Sequence, residues 1–523
     1  MTSSLLRARH AGRTALALSA IALAAGCAVG PDYVRPALPA SAGYAPGSSA
    51  PAVADPQAQR FSLERDIQAD WWKVFESPAL DALIERAFAA HPGIEAAQAA
   101  LREAQENVAA QRGFFFPTVQ AGYTPTRTKI AGNLGGNSPG LQGNGRDIST
   151  GQGTPASEGG SAPFTTPVIY NFHTAQLTVS YVPDVFGGNR RQMESMASQA
   201  QVQLHQLQAT YITLASNIVA AAIQDALLRE QIALTEQIVE ANTASLALVQ
   251  RQLKAGQVSR LELALQDNAL AQSKQALPPL RKQFEQNRDL LRALAGQAQD
   301  DEAPIFKLDA LRLPGELPLT LPSRLVEQRP DVRAAEEQLR AANAEIGVAR
   351  AARLPQFSIN ATVGGAASRF NQMFWNSGRF FDLALGITQP LFDGGTLRHK
   401  ERAAIEQQRQ AAAQYRATVI VAFQNVADTL HAIEADAAAL SAAAAVSDTA
   451  KTALDMTRRQ HGLGYLDRLA LIAAEQNHRQ GQLGLLQARA ARLADSALLF
   501  QALGGGWWHR DAAALAANAA DAN

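Results

Sequence analysis

A chain of 523 residues with 47 Lys plus Arg against 47 Asp plus Glu carries no net charge, so no overall basic field draws it to nucleic acid. Its one cysteine, Cys27, excludes an intrachain disulfide. Past the N-terminal region no apolar run approaches the ~20 residues of a transmembrane helix, so a membrane protein made from this chain would have to span with strands.

The N-terminus, MTSSLLRARHAGRTALALSAIALAAGC, joins a basic region (Arg7, Arg9, Arg13) to an apolar stretch from Ala15 to Ala25 and then Gly26-Cys27. This pattern reads as a secretory signal over residues 1–26, removed in the mature chain. Small residues before a lone cysteine resemble a bacterial lipobox, although Ala24 stands where Leu is usual. On that reading Cys27 is the acylated mature N-terminus, and Ala28 after it, rather than Asp, suits sorting to the outer membrane.

Internal similarity sets the architecture that follows. The stretch HPGIEAAQAALREAQENVAAQRGFFFP from His91 aligns without a gap to RPDVRAAEEQLRAANAEIGVARAARLP from Arg329, so Pro92 matches Pro330 and Pro117 matches Pro355. Further on, SYVPDVFGGNRRQ (180–192) matches ITQPLFDGGTLRHK (387–400), and LKAGQVSRLELALQDNAL from Leu253 matches HGLGYLDRLALIAAEQNH from His461. Each copy reads as short helix, strand, loop, strand, Gly-Gly, long helix, Gly turn and medium helix, which divides the chain into repeat 1 (91–297), a linker (298–328), repeat 2 (329–505) and a tail (506–523).

Helices are expected over 91–112, 189–253 and from the Gly256 turn to about 295, then over 329–354, 395–461 and 466–503. Pro92 and Pro330 suit a first helical turn. From Asn189 to Leu253 there is no Gly or Pro, and apolar residues recur at three and four; ~65 residues at ~1.5 Å each give a rod of about 100 Å. The strands expected are Thr118 to Thr124, Ala175 to Val182, Gln356 to Val363 and Phe381 to Gln389, each alternating apolar with polar. Between the first two lies a Gly, Ser, Thr and Pro tract that makes copy one 31 residues longer than copy two over this span; it reads as a mobile loop without a core of its own. Four short strands neither close a barrel nor bury their apolar faces against rods leading away from them, so copies must associate: two chains would supply eight strands, three would supply twelve and leave a lumen. Pro183, Gly187 and Gly188, and again Pro390, Gly394 and Gly395, then mark where a membrane strand becomes a periplasmic rod.

The segment DWWKVFESPALDALIERAFAAHP (70–92), with GCAVGPDYVRP after the signal and the duplicated rods, resembles the TolC-like outer-membrane factor family, in particular its NodT-type efflux lipoproteins. The resemblance covers essentially the whole chain. It implies an α+β membrane protein built from two internal repeats: a homotrimeric 12-stranded outer-membrane β-barrel, four strands per chain, continuous with a long periplasmic α-helical barrel. Residues 27–90, the linker and the C-terminus would form an equatorial collar. It further implies a passive exit duct for drugs or other small molecules, lipid-anchored in the outer membrane, working with a periplasmic adaptor (membrane fusion protein) and an inner-membrane pump, often of the resistance-nodulation-division class, with no cofactor or metal of its own. The turns at Gly256 and Gly464 would form the periplasmic tip. Arg260 and Arg468 pair across the copies, and Leu261 and Leu469 match the usual tip leucine. Ala473 stands where many members carry a pore-constricting Asp, and His461 replaces the customary Tyr, so closure would rest on Asp467, Arg468 and Glu475 or be mainly apolar. No HExxH, GxSxG or P-loop supports an enzyme. A type I protein-secretion conduit of the same fold and a non-pore periplasmic scaffold are the alternatives.

Overall fold

The computed structural model describes residues 28–37, 59–63, 66–130, 168–298, 304–319 and 322–509. The signal segment, Cys27, most of the loop tract and the end of the tail lie outside the described residues. In chain order the elements are β1 (Arg60–Leu63), α1 (Pro78–Ala90), α2 (Pro92–Gly113), β2 (Thr118–Ile130), β3 (Val168–Tyr181), α3 (Gly188–Lys254), α4 (Arg260–Leu294), β4 (Glu316–Leu319), α5 (Pro322–Gln328), α6 (Pro330–Ala351), β5 (Gln356–Ala367), β6 (Arg379–Thr388), α7 (Thr396–Gly462) and α8 (Arg468–Ala502), with short 3-10 turns between some of them.

Element lengths repeat across the two halves: 22 residues in α2 and α6, 67 in α3 and α7, 35 in α4 and α8. Pro92 and Pro330 each occupy the first helical position, where the missing N–H would have no partner anyway. The copies differ at the start of the long helix. Gly188 already belongs to α3, whereas Gly394 and Gly395 both precede α7 with φ of 65° and 86°, so the extra residue of the second copy is absorbed at its junction. Helix α4 continues through Pro278 and Pro279, although a proline inside a helix costs about 3 kcal/mol. Side-chain ties to α3 hold the stretch that follows, among them Arg281 to Glu236 at 2.7 Å and the buried Asn287 amide donating to the Ala221 carbonyl at 2.9 Å.

The chain folds as two compact units. Unit 1 comprises residues 1–32, 108–194 and 344–405. Its sheet has the order β2-β3-β5-β6, antiparallel throughout, with β2 and β6 as edges. All four strands outrun an expected end, β5 continuing past Val363 to Ala367 and β6 beginning at Arg379 rather than Phe381. β2 continues through Pro125 to Ile130 and β3 begins at Val168, because each supplies the other's ladder along the full pairing from Thr118↔Ser180 to Ile130↔Val168. Pro125 is accommodated because β2 is an edge of the single chain's sheet, the place where a missing donor is best tolerated.

Unit 2 comprises residues 33–107, 195–343 and 406–523. Its core gathers Trp71, Trp72 and Phe75 from the N-terminal segment, Leu308 and Leu317 from the linker, and Phe500 and Leu503 from the C-terminal end, all fully or almost fully buried. Trp71 stacks on Phe500 with ring centroids 5.4 Å apart, and β1 pairs in parallel with β4. One window of 18 residues in α3 is, by composition, apolar enough to cross a membrane, which the sequence reading passed over; 72% of it is buried inside the protein. The same helix carries Asp225, fully buried and bonded to Arg229 at 3.1 Å. This is a core helix, whose apolar residues have protein rather than lipid for neighbours.

Candidate functional site

The sheet of unit 1 has two chemically distinct faces, fixed by register. Paired residues share a face, so Val119, Tyr123, Leu177, Val179, Ile359, Val363, Phe381, Leu383, Leu385 and Ile387 stand on one side. Gln120, Thr124, Thr178, Ser180, Ser358, Asn360, Thr362 and Asp382 stand on the other. On β6 the apolar side chains are bare: Phe381 is 85% exposed, Leu383 73%, Leu385 72% and Ile387 63%. Burying each would be worth about 1.5–3 kcal/mol, so these four alone leave roughly 6–12 kcal/mol unrealised. That rivals the whole stability of a typical domain. Such a face demands a nonaqueous neighbour.

Exposed rings lie just beyond both ends of the strands. Phe114 and Phe116 precede β2 and Phe392 follows β6, while Phe370, Phe374 and Trp375 cap the β5–β6 connection. Aromatic girdles flanking an apolar band are the mark of a membrane barrel wall. The sequence reading did not single them out, although the runs FFFP and MFW carry the signal.

The two strand-to-helix junctions are built differently. Pro183 and Pro390 stand two residues past the last paired residues, Tyr181 and Thr388. At the first junction Gly187 has φ 77°, and a Cβ there would fall 2.7 Å from the Ala28 Cα. Residues 28–32 dock on this corner: the Val29 amide donates to the Phe186 carbonyl at 3.0 Å, and Arg191 reaches Asp32 at 2.8 Å. At the second junction a Cβ on Gly394 would meet nothing within 4 Å. Of the glycines expected to relax the backbone, Gly188 does not need to, being helical; its role is steric, with Ala351 Cβ 3.2 Å from where its own would be. Each corner is also held by an aspartate absent from the sequence reading. Asp184 accepts from the Asn189 and Arg190 amides at 3.0 and 2.9 Å, and Asp393 accepts from Gly395 and Leu397 at 2.8 and 2.7 Å. Hydrogen bonds from the Leu397 and Gly395 amides hold the Asp393 carboxyl below the usual carboxylate range. An Asp shortly before a helix start is a recognisable capping signal.

The helix turns of unit 2 are tightly closed. Gly256 and Gly464 take φ of 73° and 81°, the left-handed conformation of a helix C-terminal turn. The Gln257 amide returns to the Gln252 carbonyl and the Tyr465 amide to that of Gln460, both at 2.9 Å. Ser259 and Glu262 form a reciprocal capping box before α4, whereas Asp467 caps α8 through the Ala470 amide at 2.8 Å. His461 bonds the Leu466 carbonyl at 2.9 Å and thereby ties its own turn together. Glu475 faces Arg458 of α7 at 3.6 Å, so it is engaged within the chain. Arg260 and Arg468 are exposed, as is Ala473. The two matched leucines are not equivalent: Leu261 is 68% exposed, whereas Leu469 is half-buried. In the second turn the bare apolar groups are instead Leu463 and Tyr465, at 72% and 78%, which sequence reasoning missed even though they flank Gly464. Above the turns, buried Asn242 of α3 accepts from Gln266 of α4 at 3.4 Å and from Gln476 of α8, knitting three helices at one point.

Comparison with known proteins gives one consistent picture. The family model described as outer membrane efflux protein matches residues 83–297 and 321–505. The chain is 29% identical to the pyoverdine export outer membrane protein OpmQ of Pseudomonas putida, over 84% of this chain and 88% of that one. It is 26% identical to the toluene efflux pump outer membrane protein TtgI of the same species, over 94% and 98%. Among solved structures it is similar in fold to the Campylobacter jejuni CmeC outer membrane channel, with a TM-score of 0.78 at 18% identity over 94% of this chain and 99% of that one.

Proposed function

We propose, from the premise that this chain belongs to the outer membrane efflux protein family, that three copies form the outer-membrane exit duct of a tripartite efflux machine. The observation that carries the reading is the uncovered apolar face of a four-stranded sheet with two free edges. Three copies joined edge to edge make a twelve-stranded wall whose apolar side chains meet lipid and whose Thr, Ser, Gln and Asn line water. The exposed Ile420, Val421, Val446 and Met456 of α7 would be covered by helices of an adjacent copy. Energy and selectivity come from an inner-membrane pump joined through a periplasmic adaptor at the Gly256 and Gly464 turns, where Leu261, Leu463 and Tyr465 offer the apolar contacts. The relatives named for pyoverdine export and toluene efflux favour a small-molecule cargo.

Cys27 is the proposed lipid anchor. Its neighbour Ala28 packs at Gly187 beside the end of β3, so acyl chains on Cys27 would start at the membrane border. Cys27→Ser should abolish palmitate labelling while leaving the trimer intact. The deciding test of the duct is conductance: purified protein should migrate as a crosslinkable trimer and open discrete channels in planar bilayers. A lipid-free monomer without conductance would refute it.

A further inference from the structure

The apolar face of the sheet changes character at the end bearing the β2–β3 and β5–β6 connections. All three Lys and Arg residues of the four strands sit there: Arg127 and Lys129 on β2 and Arg379 on β6, each exposed. They share the lipid-side face, because Tyr123 pairs with Ala175, Ala175 with Gly365 and Gly365 with Arg379, and residues an even number apart on a strand point the same way. The one acid of these strands, Asp382, pairs with Thr362 on the polar face. Among the described residues no acceptor engages Arg127 or Lys129. Arg379 donates its Nε to the Phe374 carbonyl at 3.0 Å, which directs the guanidinium.

Arg127 and Arg379 also share a height, with Lys129 two residues farther out on β2. The junction ends of the strands are staggered: Thr388 pairs with Gln356, whereas Thr118 pairs with Ser180 and Ser180 with Asn360, a step of four residues of the kind tilted barrel strands require. Counted from those ends, Arg127 lies nine residues beyond Thr118 and Arg379 nine residues before Thr388. Nine residues at ~3.3 Å, tilted by about 40°, rise ~23 Å, which is close to the ~25 Å apolar band of an outer-membrane barrel. Tyr123, His173 and Phe370 cluster near the same border, with the Tyr123 hydroxyl 2.9 Å from His173 Nδ1 and Phe370 edge-on to both rings. Closing the barrel joins the free edges, β6 of one copy to β2 of the next. Arg379 then stands about 4.8 Å across from the strand carrying Arg127 and Lys129 of the adjacent copy.

We infer that each subunit seam, on the trimeric reading above, is a binding site for the phosphate groups of an outer-leaflet glycolipid of the lipid A type. The three cations, one strand apart and without a carboxylate on their face among the described residues, meet the phosphates at headgroup level. Phe381 and Leu383 beneath Arg379, and Val119 on β2, receive the acyl chains. Native mass spectrometry of the intact trimer, titrated with bisphosphorylated lipid A and with its dephosphorylated form, tests this. Wild type should take up to three bisphosphorylated molecules, and Arg127→Gln/Lys129→Gln/Arg379→Gln should weaken that binding by at least about tenfold while keeping trimer and conductance. Separately, Arg127→Cys/Arg379→Cys in a Cys27→Ser background should form disulfides between copies. Equal binding by the triple variant, equal binding of the dephosphorylated lipid, or disulfides only within single chains would overturn the seam site alone. A wild-type chain that forms neither trimer nor channel removes the duct reading and the seam together.

Discussion

Gly187→Ala distinguishes a junction that merely turns from one that also docks the N-terminal segment. At φ 77° an added methyl costs about 1–2 kcal/mol in backbone strain wherever it is placed. At this site its Cβ would also lie 2.7 Å from Ala28 Cα and 2.8 Å from Ala28 Cβ, an overlap worth about 1–3 kcal/mol. Undocking residues 28–32 relieves the overlap but not the strain. The opening equilibrium of that segment should therefore rise about 5- to 150-fold. Gly394→Ala is the control, since it carries the same kind of strain at φ 65° with nothing within 4 Å of the new methyl. Hydrogen exchange followed by mass spectrometry on the peptide containing Val29 reads the difference, because the Val29 amide is held by the Phe186 carbonyl at 3.0 Å. Gly187→Ala should accelerate exchange there and Gly394→Ala should not. Equal exchange in the two variants would refute the docking geometry.

Leu383→Arg, on the bare face of β6, should block membrane assembly at a cost of about 2–4 kcal/mol if that face meets lipid, read as loss of heat-resistant trimer from outer-membrane fractions; normal assembly would contradict a lipid neighbour. Asn242→Ala removes the side-chain oxygen that accepts from both the Gln266 and Gln476 amides, leaving Gln266 only its 3.5 Å bond to the residue 242 carbonyl, and should cost about 1–3 kcal/mol. Faster exchange in the first turns of both α4 and α8 would mark the shared node, whereas an effect confined to α3 would exclude it. Burial and the neighbouring Asp495 push the Asp436 carboxyl of α7 up to about 6, with Arg492 acting the other way. The folded chain thus holds this proton more tightly than the unfolded one, so the contribution favours folding in acid and is lost as pH rises from about 4 to 6. Asp436→Asn should flatten that slope and raise the unfolding temperature at pH 7.5 more than at pH 4.5.

The matched helices of the two halves were legible because their determinants are local. Proline at helix starts, the absence of Gly and Pro from Asn189 to Leu253, and a Gly that alone relaxes easily into the turns at 256 and 464 are properties of short stretches read one at a time. The two-faced strands were legible for the same reason, as period-two alternation in FSINATV needs no partner to be seen. Strand length was not, because Pro125 and the Thr-rich residues after it become strand only when β3 supplies hydrogen bonds across the ladder. The paired leucines diverged for a related reason: Leu261 and Leu469 match in sequence, but burial depends on which helices pass beside each turn, and that left Leu463 and Tyr465 bare instead. The approach of Ala28 to Gly187, the bonding of Glu475 to Arg458 and the meeting of three helices at Asn242 join residues far apart along the chain. Sequence determined the long helices, the four strands of the larger sheet and their order, but not the short elements at 60–63, 78–90, 316–319 and 322–328. Packing alone decided which polar groups found partners and which apolar faces were left for lipid, because each depends on distances that folding creates.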